Sequence, residues 1–335
     1  MKADLAEVEL GLQNWQAAQE SFDQAVRLDP DNSGVRRARE TFALHNGFEF
    51  YSEAGYGQGQ ESKFSGNRDW SIDNWLYSPP IADNWRIFAH NYKSSADFDN
   101  SITKWIRTGI GAEWRWQDWR VTGEINDGSG VKPGIAGAVR WKPDDHWTFY
   151  GAAESVTNQI PLRAVQSGVY AHRASFSADW QENESRKLSA GMAASNFSDN
   201  NRRTSVNAAW FERWFSGPRW MFETTLGGDA SHNTMGTEPS YFNPKNDHSL
   251  WLTAAVENLT WRHYERSFRQ RLALTGGRYW QEHFPSGSVE AIEYGHRWEL
   301  ERNLSVRYGI GRSFRPYDGT REARTFANLT VLWRF

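Results

Sequence analysis

Acidic and phenolic side chains recur in this sequence at spacings of two, four and six. Glu49, Tyr51 and Glu53 open the series, followed by Asp69, Asp73, Glu113, Glu124, Tyr150, Glu154, Asp179, Glu223, Asp229, Glu257, Tyr279 and Glu293. Even spacing puts such residues on one face of an extended strand, and Arg107, Arg115, Arg120, Arg140, Arg173, Arg271, Arg297 and Arg307 fall on the same faces. Burying this set in a dry core would be prohibitive, so the face must be hydrated or extensively paired. Mixed charges form the ion-pair ladders that stiffen such a wall, whereas the acidic set as a group favours a cationic or neutral solute over an anionic one. The first stretches, with Glu49, Glu53, Asp69 and Asp73, show no basic residue beside them.

Other chemistries fit less well. Asp247-His248-Ser249 is contiguous, so strand alternation points His248 away from its neighbours, and a catalytic triad needs convergence. The nine histidines lack metal-ligand spacing, and Asp97-Phe98-Asp99-Asn100 lacks the Gly and Glu of a calcium loop. Gly109-Ile110-Gly111 is followed by no helix, so it is no dinucleotide loop; no cofactor or metal is expected. A net charge of -3 gives no reason to expect nucleic acid as a partner.

The elements that must carry the polar face follow from composition. Aromatic residues make up 15% of the chain, with 19 Trp, yet mean hydropathy is -0.76. Large apolar side chains beside a polar majority suit a membrane barrel, apolar outside and wet within. No apolar run approaches the roughly 20 residues of a spanning helix. The last strand shows the pattern most clearly: Ala327, Leu329, Val331, Trp333 and Phe335 share one face, and the chain ends on that aromatic.

Sixteen strands are expected, at about 48–58, 69–78, 84–97, 101–117, 118–128, 130–142, 146–158, 167–182, 185–198, 201–216, 218–232, 246–262, 266–282, 288–302, 303–317 and 321–335. Connections after even strands are mostly tight, and Trp116, Trp119, Trp141, Trp147, Trp180, Trp214, Trp220, Trp261, Trp298 and Trp333 flank them as an interfacial girdle. Longer loops follow odd strands, at Gly59 to Arg68, Asn158 to Gln166, Asn233 to Lys245 and His283 to Gly287. The fold class is therefore mainly β: a 16-stranded antiparallel transmembrane β-barrel over 47–335, with a short N-terminal α-helical remnant over 1–46. A soluble sandwich or propeller would explain the strands but not the apolar outward stripes. In the helical part Asp29-Pro30-Asp31-Asn32 stops one helix, Ser33 caps the next, and Ala18, Phe22, Ala25 and Pro30 fit a tetratricopeptide (TPR) repeat. A stable solenoid needs about three repeats, so more are expected N-terminally. No signal peptide is visible after Met1-Lys2, as in a mature or truncated piece.

A TPR segment leading into a sixteen-strand barrel resembles the outer-membrane exporters of biofilm exopolysaccharides. Within that group Ser240 to Asp247, with Tyr241, Phe242, Asn243, Pro244, Lys245 and Asp247, resembles the loop of the poly-β-1,6-N-acetyl-D-glucosamine export porins of the PgaA type. Cellulose exporters share the architecture and a comparable Tyr-Phe-x-Pro loop. The resemblance implies a passive, non-enzymatic conduit in the bacterial outer membrane, in contact with its lipid and with both termini periplasmic. It exports a partly de-N-acetylated poly-N-acetylglucosamine polymer for biofilm formation, and its repeats dock a periplasmic deacetylase. The acidic face then attracts the polymer's free amines, tyrosines such as Tyr51, Tyr150 and Tyr279 stack on its sugars, and Tyr241 to Asp247 gates the mouth. Trp333 and Phe335 belong to the strand that closes the barrel. A cellulose-type exporter, a general diffusion porin and a barrel enzyme such as a lipase or protease are the alternatives.

Overall fold

Sixteen antiparallel strands close on themselves in a computed structural model that describes residues 2–59, 66–98 and 101–335. They are β1 (Glu49–Gly59), β2 (Arg68–Tyr77), β3 (Trp85–Phe98), β4 (Ser101–Trp116), β5 (Trp119–Gly128), β6 (Val131–Trp141), β7 (Trp147–Glu154) and β8 (Ala171–Asn183). The second half comprises β9 (Arg186–Phe197), β10 (Arg202–Ser216), β11 (Trp220–Asn233), β12 (Asn246–His263), β13 (Arg266–Gln281), β14 (Phe284–Glu301), β15 (Leu304–Tyr317) and β16 (Thr320–Arg334). Each strand pairs with the next in the chain, and β16 returns to β1.

Register carries the alternation of single strands around the whole wall. Glu49 stands opposite Tyr77 on one side and Arg334 on the other, and Arg86 opposite Glu113. Polar positions thus collect on the inner face. On the outer face Ile110, Ile125 and Ile135 lie side by side across β4, β5 and β6, 63%, 60% and 66% exposed. Water would make that patch costly, at about 25 cal/mol per Å², whereas hydrocarbon leaves it neutral. Tryptophans gather near the short hairpins, and Trp119 stacks on Trp141 at 5.3 Å. Inside, Trp251 lies flat against β11, where a Cβ at Gly227 would meet its ring at 2.3 Å, so only glycine admits it.

Three helices precede the barrel: α1 (Lys2–Gly11), α2 (Trp15–Leu28) and α3 (Ser33–His45). Ala6, Ala18, Ala25 and Ala38 let them approach closely, and Phe22 stacks on Phe42 at 4.7 Å. Pro30 lies exposed in the α2–α3 turn. The cap of α3 is Asn32 rather than Ser33: its Oδ1 accepts from the Gly34 N–H at 2.8 Å, because the residue just outside the helix has the extended backbone that aims a side chain back.

Strand bounds depart from the sequence expectation in two places. β7 ends at Glu154 and β8 begins at Ala171, and a short helix α4 (Leu162–Gln166), led by Pro161, occupies the gap. The expected loop His283 to Gly287 is instead mostly strand: β14 starts at Phe284, and His283 turns the chain with φ of 69°. The expected loop Gly59 to Arg68 lies in part outside the described residues.

The closing ladder of β1 and β16 extends to the last residue. The Phe335 N–H donates to the Phe48 carbonyl at 3.0 Å, the Phe48 N–H donates to the Phe335 carbonyl at 2.7 Å, and the two rings stack at 5.8 Å. Each such bond is worth about 1 kcal/mol net. Deleting Phe335 is expected to destabilise the barrel by roughly 2–3 kcal/mol, read as a lower temperature for the folded-to-unfolded mobility shift in detergent gels; an unchanged transition would contradict the role of this pair.

Candidate functional site: the charged lumen and its two ends

The inner wall is a mixed lattice of charge. Every acidic and phenolic wall residue singled out in the sequence, from Glu49 to Glu293, lies at an inward register position. Contrary to the expectation for the first strands, basic partners stand beside them. Arg334 Nε donates to Glu49 at 2.8 Å, Arg324 Nη2 to Asp69 at 2.6 Å, and His90 bridges Asp73 at 2.8 Å and Glu124 at 3.0 Å while stacking on Trp75. These partners come from β16 and β3, and the β16 pairs lie 285 and 255 residues apart, beyond the reach of a local reading.

Near the helix-bearing end two arginine rows run across adjacent strands. Arg115, Arg120 and Arg140 are in register on β4, β5 and β6; Arg269, Arg297 and Arg307 are in register on β13, β14 and β15. Like charges directly opposite repel, so carboxylates are drawn in. Glu113, 1% exposed, accepts from Arg86 at 2.8 and 2.9 Å and has Arg115 and Arg120 at 3.3 and 3.4 Å. Glu257 takes Arg269 at 2.8 Å, Glu223 takes Arg271 at 3.2 Å, and Asp179 takes Lys187 at 3.1 Å. Glu53, Glu154, Asp229 and Glu293 hold no ion pair among the described residues. Three of them accept only from neutral groups: Glu53 from Tyr51, Asp229 from Ser249, Glu293 from Asn328. Tyr150 is 43% exposed on the same inner face.

Asp247 and Ser249 also face inward, where Tyr279 Oη donates to Asp247 at 3.0 Å, while His248 stacks on Trp280 at 4.9 Å on the opposite side. The contiguous trio therefore does not converge.

The loop end is roofed from within. The connection carrying α4 folds against inward-facing Trp105, Ala171 and Phe197 and, with Val156, Ile160, Ala164 and Tyr241, makes an apolar cluster inside the barrel. Trp105, 1% exposed, donates from Nε1 to Asn158 at 2.9 Å, and Arg163 lies over Phe98. The second loop is locked to the first, with the Ser167 and Ser240 hydroxyls 2.7 Å apart. Its Tyr241 donates to Asp199 at 2.9 Å, and burial plus that bond raise the phenol above its ordinary range. Asn201 donates to Asn243 at 2.8 Å, Asn233 to the Pro244 carbonyl at 2.6 Å, and Phe242 meets Tyr317 edge-on, while Lys245 is exposed. Trp105 and α4 escaped the sequence reading. The signal that could have found them is Asn158 to Pro161, a polar break before a short apolar run.

The other end carries the helices. Trp15 is sandwiched between His45 at 4.4 Å and Arg115 at 5.1 Å, and Gln13 donates to the Gln117 carbonyl at 2.7 Å. Across the mouth Arg302 approaches Glu40 at 3.8 Å. Burial and the nearby Arg115, Arg86 and Arg334 lower the His45 pKa to about 4.

A closed, even-stranded barrel, apolar outside and charged within, is an outer-membrane channel. The chain belongs to a defined family of these, the PgaA membrane β-barrel domain, whose family model matches residues 44–335. It is 28% identical over 341 aligned residues to the poly-beta-1,6-N-acetyl-D-glucosamine export proteins of Escherichia coli strain K12 and Escherichia coli O157:H7. The alignment takes in 100% of this chain and 42% of each relative, so the chain spans less than half of their length. A solved bacterial polysaccharide outer membrane secretin superposes with a TM-score of 0.79 at 27% identity, over 87% of this chain and 99% of that one.

Two outcomes follow from the ends. Trp105→Ala removes the centre of the roof, at a cost of about 3–5 kcal/mol for a buried tryptophan; larger and noisier single-channel conductance is expected, and an unchanged trace would show that the roof does not constrict the pore. Neutral, buried His45 stabilises helix docking fully above about pH 6.5, the ordinary value when exposed, and that contribution is lost as pH falls toward about 4. Amide protection factors in α3, corrected for the slower intrinsic exchange at low pH, should therefore be smaller at pH 5 than at pH 7, and equal protection would refute the coupling.

Proposed function

We propose that this barrel is a passive export conduit for an exopolysaccharide, most closely poly-β-1,6-N-acetyl-D-glucosamine carrying some free amines. The carrying observation is a hydrated wall with many weak polar contacts, in a family whose aligned relatives are named for export of that polymer. Conduction needs sites favourable enough to enter and weak enough to leave. Among the described residues Glu53, Glu154, Asp229 and Glu293 hold no ion pair, and they serve an ammonium-bearing chain better than Glu113 or Glu223, already held by arginine. Tyr51 and Tyr150 offer ring faces to sugars. Nothing in this role requires turnover, and the chain acts as a channel rather than an enzyme.

The orientation that suits export puts the helices and Phe335 in the periplasm and the roofing loops outside, with Tyr241 to Asp247 as part of an outer gate. In this reading residues 1–46 end a TPR domain and 47–335 form the channel, with outer-membrane lipid around the barrel. Exposed Val8, Leu12 and Leu28 support partner docking on the helices, for which a periplasmic deacetylase is the fitting candidate.

Planar-bilayer conductance tests the reading. Oligomers containing glucosamine and N-acetylglucosamine are expected to block the pore, neutral glucans weakly and anionic oligomers least. Indifference to all sugars would leave a general diffusion porin, and selective block by glucans would favour a cellulose-type exporter.

A further inference from the structure

The second arginine row has one member without a counter-charge. Arg269 has Glu257 at 2.8 Å and Arg297 has Glu299 at 2.7 Å, but Arg307, next in register, has no hydrogen-bond or ion-pair partner among the described residues. Repulsion from Arg297 makes that arrangement unfavourable unless water or a ligand satisfies the guanidinium. Arg307 lines a concavity of about 510 Å³ in the wall, inside the roughly 300–1,000 Å³ range of small-molecule sites.

Gly295 lines this concavity, and Gly309 stands opposite it across β14 and β15. Over Gly309 runs the bond from Asn328 Nδ2 to Glu293 Oε1 at 2.9 Å, and a Cβ there would come within 3.0 Å of that oxygen. A larger residue at 309 would push the bridge into the space. Glu293 thus presents its remaining acceptor capacity in the same concavity as the free guanidinium of Arg307, and Thr330, in register with Arg307, adds a hydroxyl.

We propose that this concavity is a subsite for a neutral N-acetylhexosamine unit, which rests on the export reading above and deepens it. The acetamide carbonyl accepts from Arg307, and a ring hydroxyl donates to Glu293. Glu223, Glu257 and Glu293 share the lining with Arg269, Arg271, Arg297 and Arg307, and because the first three arginines are each paired with a carboxylate the site carries little net charge, which suits a neutral unit. A de-N-acetylated unit would instead set its ammonium against Arg307. The wall therefore reads the acetylated units here, while the unpaired carboxylates elsewhere suit the free amines.

The test uses the full chain in planar bilayers with two probes, a β-1,6-linked N-acetylglucosamine tetramer and its fully de-N-acetylated counterpart. Folding of each variant is checked by heat-modifiable gel mobility. The acetylated tetramer is expected to dwell longest in the wild-type pore. Arg307→Gln should shorten that dwell about tenfold, the value of a hydrogen bond from a charged donor, with little effect on the de-N-acetylated probe. Arg307→Lys should fall between, because the forked donor is lost while the charge stays. Gly309→Val, which displaces the Asn328–Glu293 bridge without touching Arg307, should reproduce the loss. If the acetylated tetramer blocks wild type and all three variants alike, the subsite is wrong and the export reading stands. If neither tetramer blocks the wild-type pore, both fail.

Discussion

A sheet surrounded by hydrocarbon cannot leave an edge, since each unpaired backbone group costs several kcal/mol where no water can reach it. The pairing of β1 with β16 meets that requirement, and the rest of the molecule depends on it. Closure fixes which face is inside, and with it the position of every charged side chain. It also joins the two ends of the barrel sequence, so Glu49 meets Arg334 and Asp69 meets Arg324 across the seam. The seam is therefore held by ion pairs inside, backbone bonds along its length and the Phe48–Phe335 stack outside.

Closure also decides what the wall can do. A ring of one sign would create a strong field and bind an opposite charge tightly, whereas here arginine rows and carboxylates alternate at close range and largely cancel. What remains is a few unshared groups at separate heights, with acceptors such as Glu53 and Glu293 and a donor at Arg307. On the export reading proposed above, a polymer sliding past would meet several weak contacts in turn, which is the condition for passage rather than capture.

Strand number and inner face were legible in the sequence because both follow from period-two alternation, which survives in short windows. Tyr279, Glu293 and Glu53 could be assigned to one wall from spacing alone. The impression of an acidic wall in the first strands was not reliable, because the compensating Arg334 and Arg324 lie at the opposite end of the chain. The α4 roof was missed for a related reason. A short helix has too few turns to show a period, and its partners Trp105 and Phe197 sit on distant strands. Local pattern predicts local structure, and what closure or infolding brings together has to be seen in three dimensions.

The two ends of the barrel differ in how they are held. The roof is a buried apolar cluster around Trp105 laced by asparagine and tyrosine bonds, so loosening it means exposing Trp105, Ile160 and Tyr241 together. The helices sit on the opposite mouth through a few contacts at Trp15, Gln13 and Arg302, around buried atoms, Trp15 Nε1 and Gln13 Oε1 among them, that have no hydrogen-bond partner among the described residues. A buried polar group without a partner costs about 1–3 kcal/mol, which offsets part of what these few contacts contribute. Movement is therefore cheaper at the helix end than at the roof.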